Sequence, residues 1–385
     1  MLKIKVVMFS SLPPVISGIS THTLNLSREL SKIGVEVDII SFLNNQNEKS
    51  QKMGLKINVF KLNQYSYFDV AGLYSILKPS ATKKAIEMLN DMKPDLAHFH
   101  HRTSSIEFSM EKIKKATRLN FVNTFHSSCG SLRFNIRDAI HYIHFKNFCK
   151  ILKKTSDKII TVSEFNKNKL IENGLRNVSV ISNGVNVSEF DSIDREKARN
   201  ELGYEDRDIV ILFVGRHSSE KGLHYLLLAF NKLSKKYSNI KLVTIGDGPL
   251  LSTYKFLFNN KKIWFLGKVD KKTLIKHYKA SDIFVLPSTW PEPNPVVLFE
   301  AMASKLPIIC FNVGGAPEVI NNCKSGSIIN VSVTQLEKEL EKFINDEKLR
   351  LAYGKKGYKN VKKYTWKNIA KKVKAIYKSV LYSNM

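Results

Sequence analysis

The sequence predicts an α/β protein of two domains, each built on a parallel β-sheet covered by helices. Three observations predict it. The chain has 385 residues, which is more than one ordinary core accommodates. Short apolar, β-branched runs alternate with helix-length amphipathic segments. The alternation stops at a turn-rich stretch beginning at Asn183-Gly184 and then restarts.

The first half contains six predicted strands: IKVVMF, VEVDIISF, DLAHF, NFVNTF, KIITVS and VSVIS. The segment STHTLNLSRELSKIG predicts a helix, because Leu24, Leu30 and Ile33 fall near one face. The first apolar run is too short for a secretory leader, and we interpret it as a buried strand. Apolar runs of about 18 residues are absent, so we expect no membrane-crossing helix.

The second half contains five predicted strands: DIVILFVG, KLVTIGDG, IWFLG, DIFVLPS and PIICFN. They are nearly continuous apolar runs, as expected where helices cover both faces of a sheet. Ligands of such sheets bind beyond the carboxyl ends of the strands. Candidate binding loops therefore follow Phe9, Phe125, Val214, Ile245 and Leu286.

The composition is that of a globular protein with a large excess of positive charge. Hydrophobic residues make up 43%, charged residues 25%, and the formal net charge is +27. The excess is spread over both halves, which argues against a basic tail. It fits either a lysine-rich composition without a special role or attraction to nucleotides, an anionic membrane surface or nucleic acid. Four cysteines without a C-x-x-C spacing (Cys129, Cys149, Cys310 and Cys323) predict free thiols in a reducing cytoplasm.

The stretch FVGRHSSEKGL places two cations beyond a buried strand. Lys221 precedes the next helix, where its charge opposes the helix dipole unless an anion is bound there. Arg216 is able to form a fork to phosphate oxygens. Taken alone, the two residues would favour a solvated surface pair.

The stretch STWPEPNPVVLFEAMASKLP holds two carboxylates separated by seven residues, Glu292 and Glu300. A helix is predicted to begin near Pro295, with the free N–H groups around Val296 and Val297 able to face a phosphate. Glu300 falls in an apolar segment, where a carboxylate requires a partner. Ribose hydroxyls would supply one, and a buried lysine or arginine is the alternative.

The order and spacing of R-H-S-S-E-K-G, I-G-D-G-P, Glu-x7-Glu followed by A-M-A, and G-G-A-P-E resemble the retaining GT-B glycosyltransferases that use nucleotide sugars. The resemblance covers nearly the whole chain. It implies two Rossmann-like domains facing a central cleft, with a C-terminal helix (366–385) crossing back to the first domain. Residues 1–185 would bind the acceptor, and residues 186–365 the nucleotide sugar.

The resemblance also implies roles by position in the second half. Arg216 and Lys221 would neutralise the donor's diphosphate, Glu300 would bind the ribose, and Glu292 would lie against the transferred sugar as a catalytic residue. The remaining donor-binding positions are Val269, whose backbone would contact the base, Asn294 and Pro295 in the loop that reads the sugar, and Val296 and Val297 at the helix start.

In the first half, the resemblance places Gly18 at a phosphate-facing glycine, although Ser17 departs from the usual glycine pair. His126 matches the family's active-site histidine near the transferred sugar. The run His98, Phe99, His100, His101 suggests a metal site, but no carboxylate or cysteine follows at ligand spacing. The family has a similar H-x-H that binds no metal, so we interpret the run as lining of the cleft.

The expected reaction moves a hexose-type sugar from a UDP- or GDP-linked donor with retention of configuration, without a metal or other cofactor. Arg216, Lys221 and the helix N-terminus would stabilise the leaving diphosphate. Expected acceptors are lipid-linked, polysaccharide or glycoconjugate glycans of bacterial-type surface polysaccharide synthesis. We expect cytoplasmic location and leave open peripheral binding to the inner face of the plasma membrane.

Three segments suit an acceptor or membrane role: NQYSYFDVAGLYSILKPS, SLRFNIRDAIHYIHFKNFCKILKKT, and residues 351–385, which contain ten lysines and no acid. The apolar stripe of the last helix favours packing on the first domain, as the resemblance implies. Three other readings remain: a sugar-nucleotide epimerase of similar fold, an inactive sugar-nucleotide binder, and a nucleic-acid-binding protein. The last rests on charge alone, without a recognised binding motif, so no nucleic-acid partner is expected.

Overall fold

The computed structural model describes residues 3–10, 18–43, 58–63, 79–101, 105–127 and 136–382. The chain divides into two compact units. The first unit comprises Met1–Asn183 with Trp366–Met385, and the second comprises Gly184–Thr365. These limits lie within two residues of the junctions expected from the sequence. Among the described residues, no helix combines the length and the apolar character needed to cross a bilayer.

The first unit is a seven-stranded parallel sheet in the order β3-β2-β1-β4-β5-β6-β7. Its strands are β1 (Ile4–Ser10), β2 (Val35–Leu43), β3 (Asn58–Asn63), β4 (Leu96–His101), β5 (Asn120–Phe125), β6 (Lys158–Thr161) and β7 (Val178–Val180). Its helices are α1 (Gly18–Lys32), α2 (Pro79–Met92), α3 (Met110–Thr117), α4 (Ile136–Thr155), α5 (Glu164–Glu172) and, from the C-terminus, α15 (Trp366–Tyr382).

The second unit is a six-stranded parallel sheet in the order β10-β9-β8-β11-β12-β13. Its strands are β8 (Ile209–Val214), β9 (Ile240–Ile245), β10 (Ile263–Gly267), β11 (Ile283–Leu286), β12 (Ile308–Phe311) and β13 (Gly326–Ile329). Its helices are α6 (Val187–Asp191), α7 (Arg195–Leu202), α8 (Leu223–Lys236), α9 (Leu251–Leu257), α10 (Lys271–Ala280), α11 (Val296–Ala303), α12 (Ala316–Cys323), α13 (Val333–Asn345) and α14 (Glu347–Val361).

Both sheets have an apolar core on each face, as the continuous apolar strands predicted. In the second unit, Val210 and Leu212 point to one core, whereas Ile211 and Phe213 point to the other. Alternate residues of a strand face opposite sides of its sheet. A strand buried on both faces therefore contributes to two cores and carries no polar alternation.

The last helix, α15, packs on the first unit. Ile369, Val373 and Tyr377 are buried in the same core as Val6 of β1 and Leu26 of α1. The Tyr377 hydroxyl is hydrogen-bonded to His98 Nδ1 on β4 at 2.7 Å. The expectation that the C-terminal helix returns to the first domain is thus confirmed, and its apolar stripe is accounted for by this packing.

Truncating this stripe should destabilise the first unit. Ile369 is fully buried, so Ile369→Ala should lower the free energy of unfolding by about 2–5 kcal/mol, from lost burial and the cavity left behind. Chemical denaturation of the full chain measures the change. Lys372→Ala, at an exposed position of the same helix, should change stability by less than about 0.5 kcal/mol. Equal effects of the two substitutions would contradict the packing.

Two strands and two helices differ from the expectations. The edge strands β3 and β13 are not among the expected strands: in NVFKLN a lysine interrupts the apolar run of β3, and β13 has only four residues. The stretch after Asn183, expected to be turn-rich, contains α6 and α7. Asp194 caps α7 by accepting from the Lys197 N–H at 2.8 Å. Of the cysteines, Cys149, Cys310 and Cys323 are free and buried, and Cys129 lies outside the described residues.

Candidate functional site

The candidate donor site lies at the carboxyl edge of the second sheet, where two of the predicted motifs are joined. The carbonyl oxygen of Glu220, in the loop after β8, accepts hydrogen bonds from the loop after β11. The donors are the N–H of Thr289 at 3.0 Å, the N–H of Trp290 at 3.1 Å, and the hydroxyls of Ser288 at 3.2 Å and Thr289 at 3.3 Å. The R-H-S-S-E-K-G motif and the loop leading to Glu292 are therefore held as one unit.

Two glycines permit this close approach of backbones. Gly222 has φ +66°, and a Cβ there would lie 1.8 Å from the carbonyl oxygen of Pro287. Gly314 has φ +65°, and its Cβ would lie 2.7 Å from the carbonyl oxygen of Glu292. The next residue, Gly315, donates its N–H to that same oxygen at 2.8 Å. Only glycine adopts such positions without strain or collision, so the backbone around Glu292 is fixed from two sides.

The first pair of predicted site residues is in direct contact. Lys221 Nζ lies 2.8 Å from Glu292 Oε2, with side-chain exposures of 25% and 16%. The other carboxylate oxygen, Glu292 Oε1, is buried and has no hydrogen-bond partner among the described residues. A buried acceptor without a donor is costly. One oxygen of Glu292 thus holds the lysine, and the other remains available to a hydroxyl group.

The second carboxylate lies on the helix that follows. As predicted, α11 begins after Pro295, and the N–H groups of Val296 and Val297 lie in its first turn. Glu300 accepts a hydrogen bond from the Tyr278 hydroxyl on α10 at 2.9 Å. Burial raises the pKa of Glu300, and the Tyr278 hydrogen bond opposes that rise. The partner is therefore a tyrosine rather than the lysine or arginine considered as an alternative.

Tyr278 was not identified from the sequence, and its fully buried hydroxyl orients Glu300. Tyr278→Phe should leave a partly buried carboxylate without that donor. We expect unfolding to become easier by about 1–3 kcal/mol, and we expect a further rise of the Glu300 pKa. The carboxyl stretch of isotope-labelled Glu300 followed by infrared titration would measure the pKa. An unchanged titration would show that Tyr278 does not hold the carboxylate.

The remaining donor positions lie on the same unit. Arg216 is exposed in the loop after β8, and Asn294 is buried beside the start of α11. Val269 lies in the loop after β10 and packs partly buried against one core of the unit. The I-G-D-G-P loop adjoins this group, because Asp247 accepts the His217 N–H through its carbonyl oxygen at 3.0 Å. These hydrogen bonds connect the loops after β8, β9 and β11 at the carboxyl edge of the sheet.

In the first unit, His126 belongs to a larger group of histidines. Its Nε2 lies 3.0 Å from His100 Nδ1, and its ring lies edge-on to His22 of α1 with centroids 4.5 Å apart. Burial, aided by neighbouring histidines, lowers the pKa of His126 well below its ordinary value. The imidazole of His126 is therefore neutral at physiological pH. His22 was not identified from the sequence, since a single histidine in a helix is not informative.

A carboxylate that does not follow the histidine run at ligand spacing in the sequence lies beside it in the structure. Glu107, which follows β4 in a short 3₁₀ turn, has its Oε1 3.4 Å from His101 Nδ1 and its Oε2 3.8 Å from His144 Nε2 on α4. Glu107 is buried. The sequence spacing of six residues gave no signal, because the turn brings the carboxylate back beneath the strand end.

Gly18 is the first residue of α1, and a Cβ there would meet nothing within 4 Å. The steric reason for glycine expected at this position is thus not found among the described residues. Ser17 lies outside them, as do most of the segment NQYSYFDVAGLYSILKPS and the beginning of SLRFNIRDAIHYIHFKNFCKILKKT. The lysines of α15 at positions 367, 371 and 372 are exposed.

Comparison with known proteins assigns the chain. The family model described as Glycosyltransferase Family 4 matches residues 16–189, and the one described as Glycosyl transferases group 1 matches residues 194–360. An uncharacterized glycosyltransferase of Methanocaldococcus jannaschii is 29% identical over 98% of each chain. The alpha-monoglucosyldiacylglycerol synthase of Acholeplasma laidlawii is 25% identical over 96% of each.

Solved structures agree in fold. Sucrose-phosphate synthase from Thermosynechococcus elongatus superposes with a TM-score of 0.82 at 19% identity, covering 99% of this chain and 100% of the other. Anabaena HepE in complex with UDP and glucose gives 0.76 at 18% identity, covering 98% and 100%. The two family models match adjoining segments of the chain, and the chain forms two α/β units, each with a parallel sheet. The chain therefore belongs to the glycosyltransferases of the GT-B fold.

Proposed function

We propose that the protein transfers a hexose-type sugar from a UDP- or GDP-linked donor with retention of configuration and without a metal ion. The observation that carries the proposal is the Lys221–Glu292 pair with its unpartnered Glu292 Oε1. In this pair the Lys221 ammonium, which would bind the diphosphate, lies beside a carboxylate group whose Oε1 lacks a hydrogen-bond donor within the described part of the chain. A sugar diphosphate supplies both an anion and hydroxyl groups.

The donor would be bound by the carboxyl edge of the second sheet. Arg216 and Lys221 offer positive charge to the diphosphate, and the first N–H groups of α11 add the positive end of a helix dipole. Glu300, held by Tyr278, would accept from the ribose hydroxyls. Val269 and Asn294 keep their proposed places at the base and the sugar. The likeness to HepE with bound UDP and glucose supports a donor of this class.

The chemistry follows from the charges. Breaking the bond between the sugar and phosphate builds positive charge on the ring and negative charge on the leaving diphosphate. Arg216 and Lys221 would stabilise the leaving group, as a metal does in other transferases. The only carboxylate assigned to the sugar is Glu292, which already holds Lys221. We therefore propose front-face attack, in which the leaving phosphate accepts the proton of the acceptor hydroxyl, with Gly18 and His126 in the roles implied by the family.

The acceptor is proposed to be lipid-linked or a surface glycan. Similar proteins include the monoglucosyldiacylglycerol synthase named above and a capsular polysaccharide biosynthesis glycosyltransferase of Staphylococcus aureus, 31% identical over 60% of this chain. The exposed lysines of α15 and the net charge of +27 favour contact with anionic lipid. We propose action in the cytoplasm at the inner face of the plasma membrane.

The test is transfer from isotope-labelled nucleotide sugars to a panel of lipid and glycan acceptors, in the presence of a chelator. We expect a product whose anomeric configuration, measured by proton NMR, matches that of the donor. An inverted product would overturn the retaining mechanism, and activity abolished by the chelator would overturn metal independence. Conversion of the nucleotide sugar into an epimer without acceptor would instead identify an epimerase.

A further inference from the structure

The histidine cluster of the first unit consists of His22, His98, His100, His101 and His126. Three of its members lie on β4, one follows β5, and one lies on α1. All five are placed by the first unit alone. Such a concentration of imidazoles is more than a single active-site histidine requires, and each ring nitrogen has to be accounted for.

Two of the five histidines have both nitrogens engaged. His98 contacts the Tyr377 hydroxyl through Nδ1 and the Thr124 hydroxyl through Nε2, each at 2.7 Å. His101 contacts the Asn123 side-chain oxygen through Nε2 at 2.6 Å, and its Nδ1 lies 3.4 Å from Glu107. These two rings are fixed in the packing and offer no free lone pair.

The other three histidines present nitrogens to one another. One nitrogen from each of His22, His100 and His126 lies within 4.8 Å of the other two. His100 Nε2 is buried and has no hydrogen-bond partner among the described residues, although the His100 side chain is only 8% exposed. Its Nδ1 faces His126 Nε2 at 3.0 Å. Three imidazole nitrogens this close together supply the ligand number of a three-histidine metal site.

A fixed partner orients the first of these rings. His22 Nδ1 donates to the Asn183 side-chain oxygen at 3.0 Å, which leaves the lone pair of the ring on Nε2. Metal-binding histidines characteristically donate their second nitrogen to an oxygen in this way.

We propose that His22, His100 and His126 bind one divalent transition-metal ion of the zinc type. Three imidazole nitrogens and a water would complete a four-coordinate sphere. Nitrogen ligands without a carboxylate select zinc, cobalt, nickel or copper over magnesium or calcium, which require oxygen. This site lies in the first unit and does not include the proposed diphosphate-binding residues of the second unit. The metal independence proposed above concerns the diphosphate, and a metal ion at the histidines does not conflict with it. The hydrogen bond between His100 and His126 is replaced by coordination when the ion binds.

Binding has a consequence that rests on the proposed function. If His126 serves the transferred sugar, an ion that holds His126 removes it from the reaction. Zinc therefore inhibits transfer reversibly, whereas a chelator leaves the activity intact or raises it. Metal binding itself is measured without substrate, so failure of the proposed function and failure of the metal site are distinguished.

The experiment is titration of the metal-stripped full chain with Co²⁺, followed by the visible ligand-field absorption, and then displacement by Zn²⁺ in competition with a chromophoric chelator. We expect one ion per chain with intense tetrahedral bands. His22→Gln and His100→Gln should each lower the Zn²⁺ affinity by at least about 100-fold, since even outer partners cost 10–100-fold. His224→Gln, on α8 of the second unit, is the matched control and should bind as the wild type does.

A conservative variant keeps the test independent of folding. His22→Cys supplies a thiolate ligand, so it should restore Co²⁺ binding lost in His22→Gln and add a sulfur-to-cobalt charge-transfer band. Zn²⁺ should also raise the Tm of the wild type, because it binds the folded state. Absence of tetrahedral bands in the wild type, or equal affinity in folded His100→Gln, would overturn the site. Tight binding without inhibition of transfer would overturn only the inhibitory consequence.

Discussion

Replacing Lys221 by alanine should lower kcat/KM for sugar transfer by about 10²–10³-fold, the cost of removing one charge-stabilising group from a transition state. Lys221 is one of two cations assigned to the leaving diphosphate, and its Nζ is fixed 2.8 Å from Glu292 Oε2. The negative charge on the diphosphate grows as the sugar leaves. The substitution should therefore lower kcat as well as raise the donor KM.

The pairing with Glu292 gives this prediction an internal check. Lys221→Ala leaves the Glu292 carboxylate without its cation, so part of the loss would come from an unpaired charge. The double variant Lys221→Ala/Glu292→Gln also removes that charge. Comparing its kcat/KM with those of the two single variants separates the loss of the Lys221 charge at the diphosphate from the loss caused by the unpaired carboxylate. Lys232→Ala, which removes an exposed ion pair with Glu337 on the same unit, is the control and should leave kinetics unchanged. Wild-type turnover in Lys221→Ala would overturn the assignment of the diphosphate site.

Glu300→Ala should raise the donor KM by about 10–100-fold, since a hydrogen bond to a charged group contributes roughly 1.5–3 kcal/mol and 1.4 kcal/mol is tenfold in affinity. Glu300 is proposed to bind the ribose hydroxyls, which belong to a part of the donor that does not react. The effect should therefore fall on binding, with kcat changed much less. Steady-state kinetics over a range of nucleotide-sugar concentrations measures both parameters.

Deoxyribose donors supply the control for the Glu300 prediction. The wild type should prefer the ribose form of the donor over the 2′- or 3′-deoxy form, and Glu300→Ala should lose most of that preference. Tyr278→Phe should lie between the two, because it removes the hydroxyl that orients Glu300. If Glu300→Ala kept the full preference for ribose, the carboxylate would have a structural role only.

Much of the fold follows from local patterns. The buried strands β1, β8 and β9 were predicted because covering both faces of a parallel sheet leaves an uninterrupted apolar run in the sequence. The same rule fails at β13, which is four residues long and half-buried, so neither length nor apolar pattern distinguishes it from a loop. The return of α15 to the first unit came from family resemblance, since an apolar stripe specifies burial but not the surface that covers it.

The candidate site was predictable where chemistry is carried by residues near one another in sequence. The spacing of Glu292 and Glu300 and the cations before α8 suffice to suggest an anion and hydroxyl groups. Tyr278 and Asn183 were missed because each meets its partner only after folding: Tyr278 is 22 residues from Glu300, and Asn183 is 161 residues from His22. A sheet order that joins distant strands creates such contacts, and a single sequence contains no record of them.

The most direct test of the donor site is thermal unfolding of the full chain against nucleoside diphosphates and their sugars, with and without a chelator. A UDP- or GDP-sugar should raise the Tm equally in both conditions, as a ligand of the folded state must, and the shift should disappear in the Arg216→Ala/Lys221→Ala double variant. A flat response across the whole panel, confirmed by calorimetry, or a shift that the chelator abolishes, would contradict a metal-free nucleotide-sugar site on the second unit.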